Sequence, residues 1–284
     1  MEFRRCAKRK IPLLLLITRV PFVALGCRCV FAVSFRPVDT YKVVNWGQPV
    51  GIGVSNSSYL HLEAVGKASA PTLPYCVANE IVAAEVGRRV RLPVPPCCVV
   101  VDGTGKAFFA SLSFNLTGNA LPPIIPADFA AVFGDAIADI LVFDIFICNS
   151  DRHAGNLTAD YAAPARFNVF DHSHAVLGGN PPVGSARLTA MHNALVIDGR
   201  VGGTRHCLID RVTDDRAFDK MLRRIEGLDD YFITELVSDV SDYGLSAQEV
   251  TDLTAFLMAR RALVRGLISN NKPAFTGIAQ WSLL

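Results

Sequence analysis

Residues 126–149, PADFAAVFGDAIADILVFDIFICN, constrain the fold more than any other stretch. Pro126 is suited to the first turn of a helix and Asp128 to its N-terminal dipole, so the run reads as one or two buried helices. Only 19% of the chain is charged, yet the polar loop NSDRHAGN (149–156) follows at once, and FNVFDHSHA (167–175) comes soon after. Half-buried charge is costly unless paired or coordinated. The cluster therefore marks a metal site, a phosphate site or a structural ion cluster. Asp144, inside the apolar run, needs buried partners of its own, either the following loop or Arg152.

At 284 residues and 51% hydrophobic content, the chain can form one large domain or two modest lobes. A formal net charge of +2 gives no basis for a nucleic-acid surface. The eight cysteines (6, 27, 29, 76, 97, 98, 148 and 207) show no CxxC pairing, which favours buried thiols in a reducing compartment over a zinc site. At the N-terminus, MEFRRCAKRK precedes IPLLLLITRVPFVALGCRCVFAV. This resembles a secretory leader, but Arg19 and Pro21 break the apolar run well short of a spanning helix. Residues 1–35 are expected to be a poorly ordered extension of a cytoplasmic protein or the product of an upstream start codon, with no membrane association, a secretory or membrane-anchored segment being the lesser alternative.

Residues 36–115 read as a β-rich unit carrying one helix. TYKVVNWGQPVGIGVSN, SSYLHLEAVG and LPVPPCCVVVDGTGKAFFASLSF supply strands, DGTG a hairpin turn, and CVANEIVAAEVGRRV helical spacing. Residues 116–284 are mainly helical, interrupted over 151–180 by the short strands FNVF and AVL. Ser246 with Glu249 forms a capping box for the last helix. The run 210–224 reads as a solvated face with i,i+4 pairs. The expected fold class is α+β and bilobal, with a cleft between a β-rich N-lobe and a helical C-lobe.

Asp151, Asn156 five residues on, and Asp171 at a strand end form the arrangement that phosphoryl transfer uses. One carboxylate takes the proton of the acceptor hydroxyl, while an amide oxygen and a second carboxylate hold Mg²⁺. The opposite wall should supply a cation and a helical Glu to orient it. Glu80 is the candidate Glu, Lys67, thirteen residues earlier, the candidate cation, and GQPVGIG (47–53) a candidate phosphate cover. Arg152 is expected either to pair with Asp144 or Asp171 or to stand among the cofactor-binding residues. His153 either contacts the phosphate or the metal-binding Asp as a catalytic group, or bonds to the backbone. A rival reading takes His153, Asp171, His172 and His174 as a metal-hydrolase site, with both flanking His side chains on one face of a strand. His192 and His206 show no site character.

NSDRHAGN followed by FDHSHA resembles the HipA-like kinases, as do ANEIVAAEVGRRVRLPVPP, ARRALVRGLI and the closing FTGIAQW. The resemblance covers roughly residues 45–284. The DRHxGN loop is also similar to that of phosphoinositide kinases. What the resemblance implies is a protein-kinase-like fold with ATP and Mg²⁺ as cofactors. It further implies Asp151 as catalytic base, Asn156 and Asp171 as Mg²⁺ ligands, and Glu80 paired with an ATP-binding Lys. The implied reaction moves the ATP γ-phosphoryl group to a hydroxyl, with a protein Ser or Thr as acceptor. A nucleotide-binding pseudokinase is the alternative should Lys67 fall short of the phosphates. No toxin role follows from a chain of this length.

Overall fold

A computed structural model describes residues 43–50, 57–114, 122–200 and 203–284. These lie within one compact unit, Thr40–Leu284. The apolar N-terminal segment, the linker around 115–121 and the Gly51–Gly53 part of the expected phosphate cover lie outside the described residues.

Strands come first. β1 (Val43–Pro49) pairs antiparallel with β2 (Ser58–Leu62). A second antiparallel sheet has the order β3–β5–β4, built from β3 (Ala64–Lys67), β4 (Cys97–Val101) and β5 (Ala107–Leu112). The expected DGTG turn joins β4 to β5, and the Asp102 carboxylate accepts from the backbone of Thr104 and Lys106. Between β3 and β4 runs α1 (Cys76–Arg89), whose Val77 and Ala84 pack on Phe109 of the sheet. Lys67, the last residue of β3, lies opposite Phe109 in that register.

α1 ends without glycine. Arg91 takes φ +62°, the Leu92 N–H bonds the Gly87 carbonyl and the Arg91 N–H bonds the Arg88 carbonyl. That double closure is a Schellman motif. Pro93 follows, where the helix can no longer continue.

The second half is helical: α2 (Pro126–Phe146), α3 (Gly184–Met191), α4 (Asp219–Glu226), α5 (Asp230–Val240) and α6 (Ala247–Ser269). Pro126 opens α2, and a non-helical Phe133 breaks it once. From Ile137 to Cys148 it is buried on every side, packed against α4 and α6. The polar residues in this stretch are therefore paired rather than solvated. α2 also stops on a Schellman closure, with Cys148 at φ +57° and the Asn149 N–H on the Asp144 carbonyl. The Ser246–Glu249 capping box of α6 is formed. No helix among the described residues is long and apolar enough to cross a membrane.

Two expectations need correction. AVL (175–177) forms turns rather than a strand, because the Val176 and Leu177 N–H groups go to the Ile147 carbonyl and to Asn79 Oδ1 instead of a ladder. FNVF does form a strand, as expected, within β7 (Arg166–Val169), which pairs antiparallel with β6 (Leu157–Asp160). In the run 210–224, Asp219 and Arg223 make the i,i+4 pair. Asp215, however, is buried and accepts from the backbone of Ser282, Leu283 and Leu284, tying the chain's end to the helical core.

Candidate active site

The β6–β7 hairpin explains how residues fifteen apart meet. Leu157 lies opposite Val169, so Asn156 and Phe170 are the next pair outward, and the Phe170 N–H bonds the Asn156 carbonyl at 3.3 Å. Asp171 follows directly. The Asn156 amide nitrogen donates to the Asp151 carbonyl at 2.9 Å, which orients its amide group. Asp151 thus shares one loop with Asn156, and that loop abuts the strand end carrying Asp171.

Lys67 crosses to this loop from the sheet. Its Nζ lies 2.6 Å from Glu80 Oε1 and 2.7 Å from Asp171 Oδ1. Glu80, on α1 and 2% exposed, also accepts from the His172 N–H at 3.1 Å. Burial alone would raise the Glu80 carboxyl pKa, but His172 and the Lys67 charge together hold it below the usual range. Burial would lower the Lys67 pKa, and the Glu80 and Asp171 charges outweigh this and raise it. Asp171 is likewise depressed, since Lys67 and the Ser173 hydroxyl offset its burial. All three groups are ionised at neutral pH. Asp171 adopts φ +59°, a conformation that costs a non-glycine residue about 1–2 kcal/mol and so has to be held by its surroundings.

A cavity opens beside this triad. Val65, Ala84, Val94, Phe109, Val169 and Phe170 form apolar walls, and Lys67, Glu80 and Asp171 form one ionic end. A slot of this kind suits a flat aromatic base at one end and phosphates at the other. The Asn156 amide oxygen and the Asp171 carboxylate are hard donors that fit Mg²⁺, a cation that keeps most of its waters.

Arg152 is not a cofactor ligand. It is fully buried, with Nε and Nη2 on the two Asp144 oxygens at 2.8 and 3.0 Å. Nη1 donates to the carbonyls of Asn156 and Phe170 at 2.8 and 2.6 Å. Of the two partners expected for it, Asp144 is the one bound. Its role is to clamp both site loops from below. His206, which carried no site signal in the sequence, completes this cluster through Nε2 on Asp144 Oδ2 at 3.0 Å. His153 is exposed, and its Nδ1 accepts from the Gly155 N–H, a bond to local backbone.

His172 and His174 lie in a turn, not on a strand, so their spacing does not put them on one face. His172 is buried against Phe143, with Nδ1 turned toward Glu80. Desolvation holds its pKa below the ordinary histidine value despite the carboxylate. Among the described residues, no group of three or more His, Cys, Asp or Glu side chains could hold a metal ion. Sequence reasoning also passed over Asn79, Arg187 and Thr204. Arg187 bonds the Cys148 carbonyl, the Ser150 hydroxyl and the His174 carbonyl. The Thr204 hydroxyl lies 3.4 Å from Asp151 Oδ1. Arg187 and Thr204 come from distant chain segments with no motif around them, whereas Asn79 sits beside Glu80 and could have been weighed with it.

The chain matches no family model and no curated protein. Among solved structures it is similar to the Helicobacter pylori proinflammatory kinase CtkA, at 14% identity over 78% of this chain and 93% of that one, with a TM-score of 0.51. It is also similar to a chain in the complex of the Shewanella oneidensis MR-1 toxin–antitoxin system HipA, HipB and its operator DNA. There the identity is 11% over 80% of this chain and 63% of that one, with a TM-score of 0.39. At these identities the likeness is one of fold: β1–β5 with α1 up to Leu112, then α2–α6 with the β6–β7 hairpin from Pro126 on, make up the bilobal, kinase-like fold seen in CtkA.

Proposed function

We propose that this chain is a HipA-like kinase that transfers the γ-phosphoryl group of ATP, with Mg²⁺, to a hydroxyl on a protein Ser or Thr. The observation that carries the reading is Lys67 bridging Glu80 and Asp171 at the ionic end of an apolar slot. The pseudokinase alternative turns on whether Lys67 reaches the phosphates, and its contacts with Glu80 and Asp171 favour the kinase reading. The five cysteines among the described residues are free thiols, which supports a cytoplasmic setting.

In this mechanism the apolar walls take the adenine and Lys67 neutralises phosphate oxygens, held in place by Glu80. Asn156 Oδ1 and the Asp171 carboxylate would hold the metal. Bound there, Mg²⁺ would supply the positive charge that offsets charge developing on the phosphates. Asp151 receives the proton of the attacking hydroxyl, and Arg152 keeps its loop in register with Asp171. Positioning and electrostatics do most of the work in such a reaction, so losing one group should cost orders of magnitude in rate.

The test is transfer of radiolabel from γ-labelled ATP to the protein itself or to an added protein acceptor. Asp151→Ala and Asp171→Ala should each lower transfer at least 100-fold while urea midpoints stay near wild type. Near-wild-type transfer by either variant would refute the assignment.

A further inference from the structure

Asn79 stands next to Glu80 on α1 and is fully buried. Its amide nitrogen donates to the Ser173 carbonyl at 2.8 Å and the Gly178 carbonyl at 3.2 Å, and its oxygen accepts from the Leu177 N–H at 3.1 Å. One side chain therefore satisfies three backbone groups of the turn that follows Asp171. Glu80 satisfies a fourth, the His172 N–H. That turn has no strand ladder of its own, and Asp171 sits at its head in a left-handed conformation. A short polar turn in such a conformation stays put only when its surroundings fix it. Here much of the fixing comes from α1, the helix that also orients Lys67 through Glu80.

We propose that Asn79 is a positioning residue for phosphoryl transfer, setting the Asp171 turn against α1 so that the cation and the metal-binding carboxylate keep one fixed geometry. The inference rests on the kinase reading given above. Asn79 touches neither nucleotide nor acceptor; it acts through Asp171. The apolar walls that take the base belong to other residues, so its loss should fall on metal use and turnover rather than on nucleotide affinity.

The experiment compares wild type with Asn79→Ala and Asn79→Asp, the latter keeping the volume and the acceptor for Leu177 but lacking both donors. Radiolabel transfer is measured over a Mg²⁺ titration, with rates normalised to folded protein. Melting temperature is read with ATP alone and with ATP plus Mg²⁺. The expected result is a kcat at least 10-fold lower and a Mg²⁺ half-saturation raised several-fold, with KM for ATP within about twofold of wild type. The increment that Mg²⁺ adds to the ATP-induced melting shift should shrink, while the shift with ATP alone persists. A purely structural role would lower the unliganded melting temperature and leave the Mg²⁺ half-saturation and the Mg²⁺ increment unchanged, which overturns the proposal. Loss of the fold in both variants overturns it equally. Absence of any transfer by wild type with MgATP instead sinks the kinase reading, and this inference with it.

Discussion

Asp144 shows how a single residue can be fitted to an apolar helix. It accepts from Arg152 Nε and Nη2, from Asn149 Nδ2 and from His206 Nε2, all between 2.8 and 3.0 Å. A buried ion pair holds only when its remaining lone pairs are met, and here they are. The eight-residue spacing made Arg152 legible as a partner, whereas His206, 62 residues away, was not. Its tautomer is fixed by geometry: Nδ1 accepts from the Leu208 N–H at 3.0 Å, so the proton sits on Nε2 and points at Asp144. Burial holds the His206 pKa below the ordinary value despite that carboxylate. Between pH 7.5 and 5.5 the unfolded chain therefore takes up a proton that the folded chain refuses, and stability falls with pH by up to about 1.4 kcal/mol per unit. The buried His172 adds a slope of the same sign. Asp144, depressed in the folded state, loses its contribution only near and below about pH 4. Urea midpoints at pH 7.5, 6.5 and 5.5 should decline in wild type and decline less in His206→Gln. Equal slopes would mean that His206 takes up its proton alike in the folded and unfolded chain.

At the scale of elements, α6 joins the ends of two others through Arg260. This guanidinium is fully buried and donates to the Ile145 carbonyl near the end of α2 and to the carbonyls of Met191, His192 and Ala194 at and beyond the end of α3. Carbonyls at helix ends carry partial negative charge, so a planar cation with several donors satisfies them without a carboxylate. Lysine has a point charge and cannot span both ends. Arg260→Lys should cost about 2–4 kcal/mol through carbonyls left unpaired, measured as a drop in urea-unfolding free energy. A cost under about 1 kcal/mol would show that water or backbone movement replaces the lost bonds. The start of α6 was legible because its capping box is a local pattern. The end of α1 was read to within a residue, as CVANEIVAAEVGRRV, whereas α2 was read on to Asn149, because Cys148 occupies a left-handed position that glycine usually signals. The β6–β7 hairpin was half legible. FNVF stood out by its apolar run, but LTAD contains too little periodicity to reveal the strand that aligns Asn156 with Phe170.

For the whole molecule, the order of strands then helices could be read from periodicity, because each element's spacing is local. The meeting of Lys67 with Asp171 could not, since it depends on a sheet register, a buried helix and a strained turn acting together. The slot they enclose has one wall on β3, β5 and α1 and another on residues 169–172, so a nucleotide within it would tie both walls together. A ligand that binds only the folded state adds RT ln(1 + [L]/Kd), about 2.7 kcal/mol at one hundred times Kd. For a domain of this size each kcal/mol raises the melting temperature by about 2–4 °C, so saturating MgATP should raise it by about 5–10 °C. In Lys67→Met the phosphates lose their cation, while Glu80 and Asp171 lose the charge between them. The MgATP shift should then fall to less than half, and the unliganded variant should itself melt below wild type as two carboxylates face each other. Differential scanning fluorimetry with and without MgATP reads both effects at once. An undiminished shift in Lys67→Met would place the nucleotide outside this slot, and the roles given to Glu80 and Asp171 would fall together with it.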